Sequence, residues 1–334
     1  MKALLLRHRA LLILLAALPL TWFLPRSGIL NSYLDLILKY IGINIILTIS
    51  LTLVNGYMGE FSVGHAGFMA IGAYGASVCT VALFPRAAGP WLFPLALLAG
   101  GAAAGCAGLL LAFPSFRTRG DYLAIVTLAF NMIVKSVLEN IPALGAAQGY
   151  RGMDPLTTLT GVFVCVVLTL YAARNFIYSR FGRGVLAVRE DELAAGLVGV
   201  HTGQVKMLTF VFSAFLAGIA GGLFAHTLCF INPGSFTIVK STEMLVMVYL
   251  GGAGSLGGAL LGGTLFTVVD EALRPLGVWR AVLIPLLLVL LMLFRPRGIM
   301  GGREFSWLIP RDAAGRGGDT GETPVPPGRG GEAA

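Results

Sequence analysis

Residues 281–294 read AVLIPLLLVLLMLF, fourteen positions without a charge or a polar side chain. A barrel strand alternates between lipid and lumen, so its apolar residues recur every second position. This run does not alternate. A helix pairs every backbone group within its own segment, which makes it the form such a run takes in lipid. Comparable runs lie near 10–25, 32–54, 63–84, 91–113, 121–139, 158–178 and 207–229, with the quoted run read as 278–294. Each approaches the ~20 residues needed to cross a hydrocarbon core of about 30 Å.

The whole chain agrees. Of its 334 residues 56% are hydrophobic and 12% charged, and its mean hydropathy is +0.83. That is too little charge to cover the water-facing surface of a soluble protein this long. The expected fold class is all-α: a polytopic membrane helical bundle of about eight full spans plus a Gly-broken re-entrant hairpin. The N-terminal MKALLLRHRALLILLAALPL has the charge and apolar run of a secretory signal but no small-x-small cleavage site, so it is read as a retained first span. Cys79, Cys106, Cys165 and Cys229 fall within expected spans without CxxC spacing, as small buried apolar residues rather than a metal or disulfide set.

The net charge of +8 has a membrane explanation. With the N-terminus placed in the cytoplasm, sixteen Lys and Arg fall in inner loops. Six (Arg26, Arg86, Arg151, Lys240, Arg274, Arg280) fall outside, and Lys39 and Lys135 lie within spans. This is the positive-inside bias, and it requires no nucleic acid. Both termini are then cytoplasmic. Parity puts both ends of residues 244–272 outside, so this segment is two closely packed helices or a re-entrant hairpin broken at GGAGSLGG (251–258). Broken backbone at membrane depth survives only where protein or a water-filled cavity covers it, which marks Gly251, Gly252, Gly254 and Ser255 as pathway candidates. The chain divides into a transmembrane domain over 1–302 and a Gly-, Pro- and charge-rich tail over 303–334, expected to be disordered.

Chemistry is sparse. Gly-Lys occurs nowhere, so no GxxxxGK[ST] phosphate loop exists; HExxH and GxSxG are missing too, and the four histidines are scattered. No catalytic residue, metal site or bound cofactor is expected, and any ATP must be used by another chain. The stretch GYMGEFSVGHAGFMAIGAYGA (56–76) places Glu60, Ser62, Gly64 and His65 among six glycines at the inner end of a span. One reading is an inner gate beside the solute path; the plainer one is an interfacial turn with a solvated Glu60 and a His65 bonded to a neighbouring helix. Asp35 and Lys39 are spaced to neutralise each other. GxxxG spacing at Gly101–Gly105, Gly218–Gly222 and Gly258–Gly262 lets helices approach closely.

The most informative soluble segment is SRFGRGVLAVREDELAAGLVGV (179–200), within an inner loop over 179–206. Glu190, Asp191 and Glu192 form an acidic first turn, Ala194 and Ala195 propagate a helix, and Gly199 stops it. Leu193, Leu197 and Val200 make a short apolar stripe. A linker lying on the membrane and a helix docking into a partner's groove both fit. The run resembles the cytoplasmic coupling loop of bacterial ABC-importer permeases, EAA followed three residues later by Gly, although Leu193 stands where Glu is usual and Glu192 is one place early. With it, in the family's order, come GYMGEFSVGHAGFMAIGAYGAS, RTRGDYLAIVTLAFNMIVKSVLEN, KMLTFVFSAFLAGIAGGLFAH, VMVYLGGAGSLGGALLGG and LMLFRPRGIMGG. Over roughly residues 30–302 the chain is similar to LivM-like permeases of the branched-chain amino acid importer family.

The resemblance implies a bacterial plasma (inner) membrane location, a homologous H-type permease partner, two cytoplasmic ABC ATPase subunits and a periplasmic solute-binding protein. It makes Arg189, Glu190, Asp191, Glu192, Ala194, Ala195 and Gly199 the ATPase-coupling residues. The outer loop IPALGAAQGYRGMDPLT (141–157) reads AAQG where the family has a TGG pattern, which leaves urea, amides or other amino acids as alternative solutes. A stand-alone secondary transporter or channel would instead need converging intramembrane carboxylates, for which Asp35 and Glu139 are the material.

Overall fold

The computed structural model describes residues 31–84, 89–116, 122–294 and 298–301, with Pro19, Thr21, Phe23, Glu304 and Phe305. The expected first span at 10–25 lies outside the described residues except at those three positions, and so does the expected tail except at Glu304 and Phe305.

Among the described residues the fold is all-α apart from one two-residue ladder. Helix α1 (Ser32–Leu51) continues through a π-helical stretch, Thr52–Met58. It is followed by α2 (His65–Val78), α3 (Gly89–Ser115) and α4 (Tyr122–Glu139). Next come α5 (Leu159–Ile177), the short α6 (Arg180–Glu190) and α7 (Glu192–Leu197), and the long α8 (Thr202–Leu228). Helices α9 (Ile238–Gly251), α10 (Leu256–Ala272) and α11 (Arg280–Phe294) close the order. Tyr150–Arg151 pairs antiparallel with Phe230–Ile231 and ties the α4–α5 and α8–α9 connections together. Among the described residues six helices are long and apolar enough to cross a membrane: Ser32–Met58, His65–Leu83, Trp91–Ser115, Tyr122–Glu139, Leu159–Ile177 and Thr202–Leu228. The remaining expected full span, 278–294, is a helix of 15 residues, about 22 Å, entered through a 3-10 turn with Gly277 at φ 54°.

Helices α1 and α8 form the centre, and their directions can be read from side-chain register. Ser50 bonds Ser213, and Tyr40 meets Phe224 edge-on, so α1 and α8 are antiparallel. His65 bonds Ser213 and Thr80 bonds His226, so α2 runs parallel to α8. Helix α3 packs on both. A side chain on Gly72 would overlap the backbone of Gly218, and a Cβ on Gly218 would stand 2.9 Å from the Gly101 Cα. Lipid supplies little drive for helices to associate, so contact between backbones supplies the packing. Of the GxxxG pairs, Gly218 and Gly262 make such contacts, whereas Gly105 has ordinary spacing, 3.7 Å or more.

Helices α9 and α10 form an antiparallel hairpin broken at Gly252–Ser255, with Gly251 against Gly258 and Gly262. At 14 and 17 residues each is about 21–26 Å long. The hairpin lies on α1: Asn44 Nδ2 donates to Thr267 at 2.9 Å, and the turn reaches Gly56, where any side chain would collide with the Ala253 carbonyl. The cysteines are free thiols; contrary to expectation none is fully buried, and Cys106 is exposed, because it sits on an outward face of α3. Asp35 and Lys39 pair at 2.7 Å, as their spacing predicts.

Candidate functional site

The 179–206 loop and the Gly56–His65 stretch meet at the Met58 end of α1. Ser179 starts α6, its Oγ accepting from the Gly182 N–H at 3.3 Å, and Gly182, Val185 and Val188 form the buried face. The helix ends at Glu190. Asp191 takes extended backbone (φ −158°) and its Oδ1 accepts from the N–H groups of Leu193 at 2.8 Å and Ala194 at 3.0 Å, capping α7. The single acidic first turn expected from the sequence is thus divided. Glu190 closes one helix, Asp191 caps the next, and only Glu192 lies in the first turn of α7. The reason is local: an Asp carboxylate competes with the backbone for N–H groups and breaks a helix in order to start another.

Gly199 ends α7 at φ 86°. Its N–H bonds the Gly196 carbonyl at 3.1 Å and the Val200 N–H bonds that of Ala195 at 3.0 Å, a Schellman closure. Ala195 packs inward while Ala194 is exposed. Leu193, Leu197 and Val198 are 76%, 89% and 79% exposed. The expected apolar stripe therefore splits: Leu193 and Leu197 face outward with Val198, and Val200 turns in toward Gly184.

What fastens this arm is Lys206, in the first turns of α8. Its Nζ donates to Glu60 Oε1 at 2.7 Å and to Glu192 Oε2 at 2.8 Å, with the lysine side chain only 11% exposed. One ammonium therefore joins three elements: α7, α8 and the turn after α1. Beside it the Arg189 stem covers Gly59, its Cγ 3.0 Å from where a Cβ would stand. Sequence reasoning counted Lys206 only as loop charge. A lysine opening the apolar run KMLTFVF needs a buried partner, but nothing local identifies Glu60, 146 positions away.

Ser62, Gly64 and His65 lie deeper. The Ser62 N–H donates to Asn55 Oδ1 at 3.2 Å, Gly64 packs on Thr127, and His65 Nε2 bonds Ser213 Oγ at 2.8 Å. His65 is buried between helices rather than interfacial, and Ser213 in turn donates to the Ser50 carbonyl at 2.6 Å.

The hairpin turn is closed by the residues that follow α11. Gly252 stands at φ 116°, Ser255 Oγ accepts from the Gly258 N–H at 2.9 Å, and Gly254 is half-buried in the turn. The N–H groups of Ile299 and Met300 bond the carbonyls of Leu250 and Gly251 at 3.0 and 3.1 Å. Glu304, buried, accepts from the N–H groups of Leu256 at 2.8 Å and Gly257 at 2.6 Å. Burial pushes its carboxyl above the usual carboxylate range, opposed by those two N–H groups. Gly56 against Ala253 brings this closed turn to the stretch that carries Glu60. Among the described residues no cluster of His, Cys, Asp and Glu could hold a metal ion. Mechanically, the arrangement links an outward-facing apolar helix to two breaks in the helical bundle.

Residues 33–294 match the family described as "Branched-chain amino acid transport system / permease component". The chain is 34% identical over 293 residues to the high-affinity branched-chain amino acid transport system permease protein LivM of Salmonella typhimurium, covering 77% of this chain and 68% of that one. The LivM of Escherichia coli K12 gives the same figures. The LivH permease of S. typhimurium is 31% identical over 189 residues, 55% of this chain and 60% of the relative. No solved structure matches. The chain therefore belongs to the permease-component family of branched-chain amino acid transport systems.

Proposed function

We propose that this protein is the LivM-type permease subunit of an ATP-driven importer of branched-chain amino acids, worked from the cytoplasm through the arm α6–α7. As a permease component it lacks an ATPase domain. Its proposed companions are an H-type permease, two ABC ATPase subunits and a periplasmic solute-binding protein. The observation that carries the coupling role is the Lys206 fork, which connects the exposed apolar helix α7 to the turn holding Glu60. In this reading Leu193, Leu197 and Val198 enter a groove on the ATPase. Arg189, Glu190, Asp191, Glu192, Ala194, Ala195 and Gly199 shape and hold the arm. Glu60, Ser62, Gly64 and His65, with the turn at Gly251, Gly252, Gly254 and Ser255, form the inner gate. The hairpin α9–α10 is re-entrant from the outside, and both termini are cytoplasmic.

A binding protein loaded with solute must favour one of two permease states, since a ligand indifferent to both shifts neither. The rival reading, a carrier driven by a coupling ion, lacks support in the proposed carboxylates. Asp35 is paired with Lys39, and Glu139 stands 3.6 Å from Lys135. The test is uptake of radiolabelled leucine, isoleucine, valine and urea into liposomes holding the complete complex. Uptake of the three branched-chain amino acids that requires ATP and both ATPase subunits is expected. Uphill uptake by this chain without companions would overturn the proposal.

A further inference from the structure

Helix α2 does not start at an end of the bundle. The non-helical residues 59–64 carry the chain inward, and His65 begins the helix level with Ser213 and Ser50, eight residues in from the Met58 end of α1. A helix start at that depth directs its first turn, the positive end of its dipole, toward the interior, although the Gly67 N–H is already taken by the Gly64 carbonyl at 3.0 Å. His65 itself faces away, toward Ser213 and Ser62.

Two observations concern the other side of that turn. The Ala66 N–H is met from outside the helix, by Ser241 Oγ of α9 at 3.3 Å. Asn131 of α4 aims its amide at the same turn, Oδ1 lying 3.3 Å from where a Cβ on Gly67 would stand. Asn131 is 1% exposed, yet neither Oδ1 nor Nδ2 has a hydrogen-bond partner. A buried amide left so costs about 1–3 kcal/mol for each unmet group, which an apolar residue would avoid. Farther along the same face of α2 the Tyr74 hydroxyl, in a residue 3% exposed, is unpartnered as well. An apolar wall stands beside the amide: Phe68 lies 4.9 Å from Phe130 and 5.5 Å from Phe210 between ring centroids.

We propose that this corner between α2, α4 and α9 is the transit site for the zwitterionic head of an aliphatic amino acid. The carboxylate takes Asn131 Nδ2 and lies against the positive end of α2. The ammonium takes Asn131 Oδ1 and the Ser241 hydroxyl, and the branched side chain lies against Phe68 and Phe130. Asn131 offers one donor and one acceptor face and no formal charge, which suits a solute whose own charges cancel. The Asn131 Cα lies 3.2 Å from where a Cβ on Gly67 would stand, so α2 and α4 are in close contact here and must part for the solute to enter. The inference rests on the importer reading above and names the place where its solute is held.

The test uses the complete complex in liposomes, with leucine as the probe, and the melting temperature of the purified permease. Asn131→Leu keeps the branching and the number of heavy atoms and removes the unpaired amide. Leucine uptake is expected to fall at least tenfold while the melting temperature holds or rises. Asn131→Asp, of the same shape, sets a negative charge against the carboxylate and is expected to abolish uptake. Uptake near the unsubstituted level in either variant overturns the site, and so does a melting temperature that falls in step with uptake, the mark of a structural asparagine. If the unsubstituted complex takes up no leucine with ATP, the importer reading itself fails, and this inference with it.

Discussion

Lys206 shows how much one side chain carries. Its ammonium balances two carboxylates at 2.7 and 2.8 Å, one of them, Glu192, half exposed. Removing the cation leaves Glu60 without its partner inside the protein, which for a largely buried pair costs about 3 kcal/mol. In Lys206→Met we expect ATP hydrolysis by the complex to persist while leucine uptake per ATP falls at least tenfold; Lys206→Arg should recover part of it. Parallel measurement of phosphate release and uptake checks this. Gly199 gives a second prediction. At φ 86° a side chain is strained by about 1 kcal/mol or more. Gly199→Leu is therefore expected to loosen the end of α7 and lower coupling while leaving assembly intact; unchanged coupled transport would count against the role given to the arm. Neither the Lys206 fork nor the Asn131 amide could be read from the sequence, because each depends on which faces of distant helices meet. Asp35 and Lys39 could, since one helix turn separates them.

Elements were legible in proportion to their length and apolarity. The runs at 32–54, 63–84, 91–113, 121–139, 158–178 and 207–229 all appear as helices long enough to span. The break at GGAGSLGG was visible because glycine and serine interrupt an otherwise apolar run. The division of the arm at Asp191 was not, since REDELAA also reads as one acidic helix start, and the choice rests on where a single carboxylate bonds. Nor was the seal on the hairpin turn. Glu304 lies in a stretch whose composition reads as tail, yet its carboxylate accepts both leading N–H groups of α10. Losing such a cap costs about 1–2 kcal/mol. Glu304→Ala is expected to lower the melting temperature of the purified permease and raise thiol labelling of a cysteine placed at Ala253, with Glu304→Gln intermediate. Equal labelling in all three proteins would sink the idea that this residue holds the turn.

For the molecule as a whole, relative helix directions follow from side-chain register, and the proposed sidedness rests on the distribution of Lys and Arg. The two join in one prediction. With the four native cysteines replaced by Ala, a cysteine at Leu197 is expected to react in intact cells only with membrane-permeant reagents, and one at Gly152 with impermeant reagents as well. The opposite pattern would invert the topology. The meeting of α2, α3 and α8 through Gly72, Gly218 and Gly101 leaves nothing between the backbones that can slide or repack. A larger side chain there is costly: Gly72→Leu is expected to destabilise by about 3 kcal/mol or more, seen as loss of folded protein in detergent. In the proposed importer these three helices are the part that holds still. The short helix α7 and the Glu60 turn are each clasped to it, at the α8 edge, by one detachable ammonium. In the proposed coupling, a stroke of α7 begins as a rupture of ion pairs, with a threshold set by charge and salt rather than by the stiffness of the core.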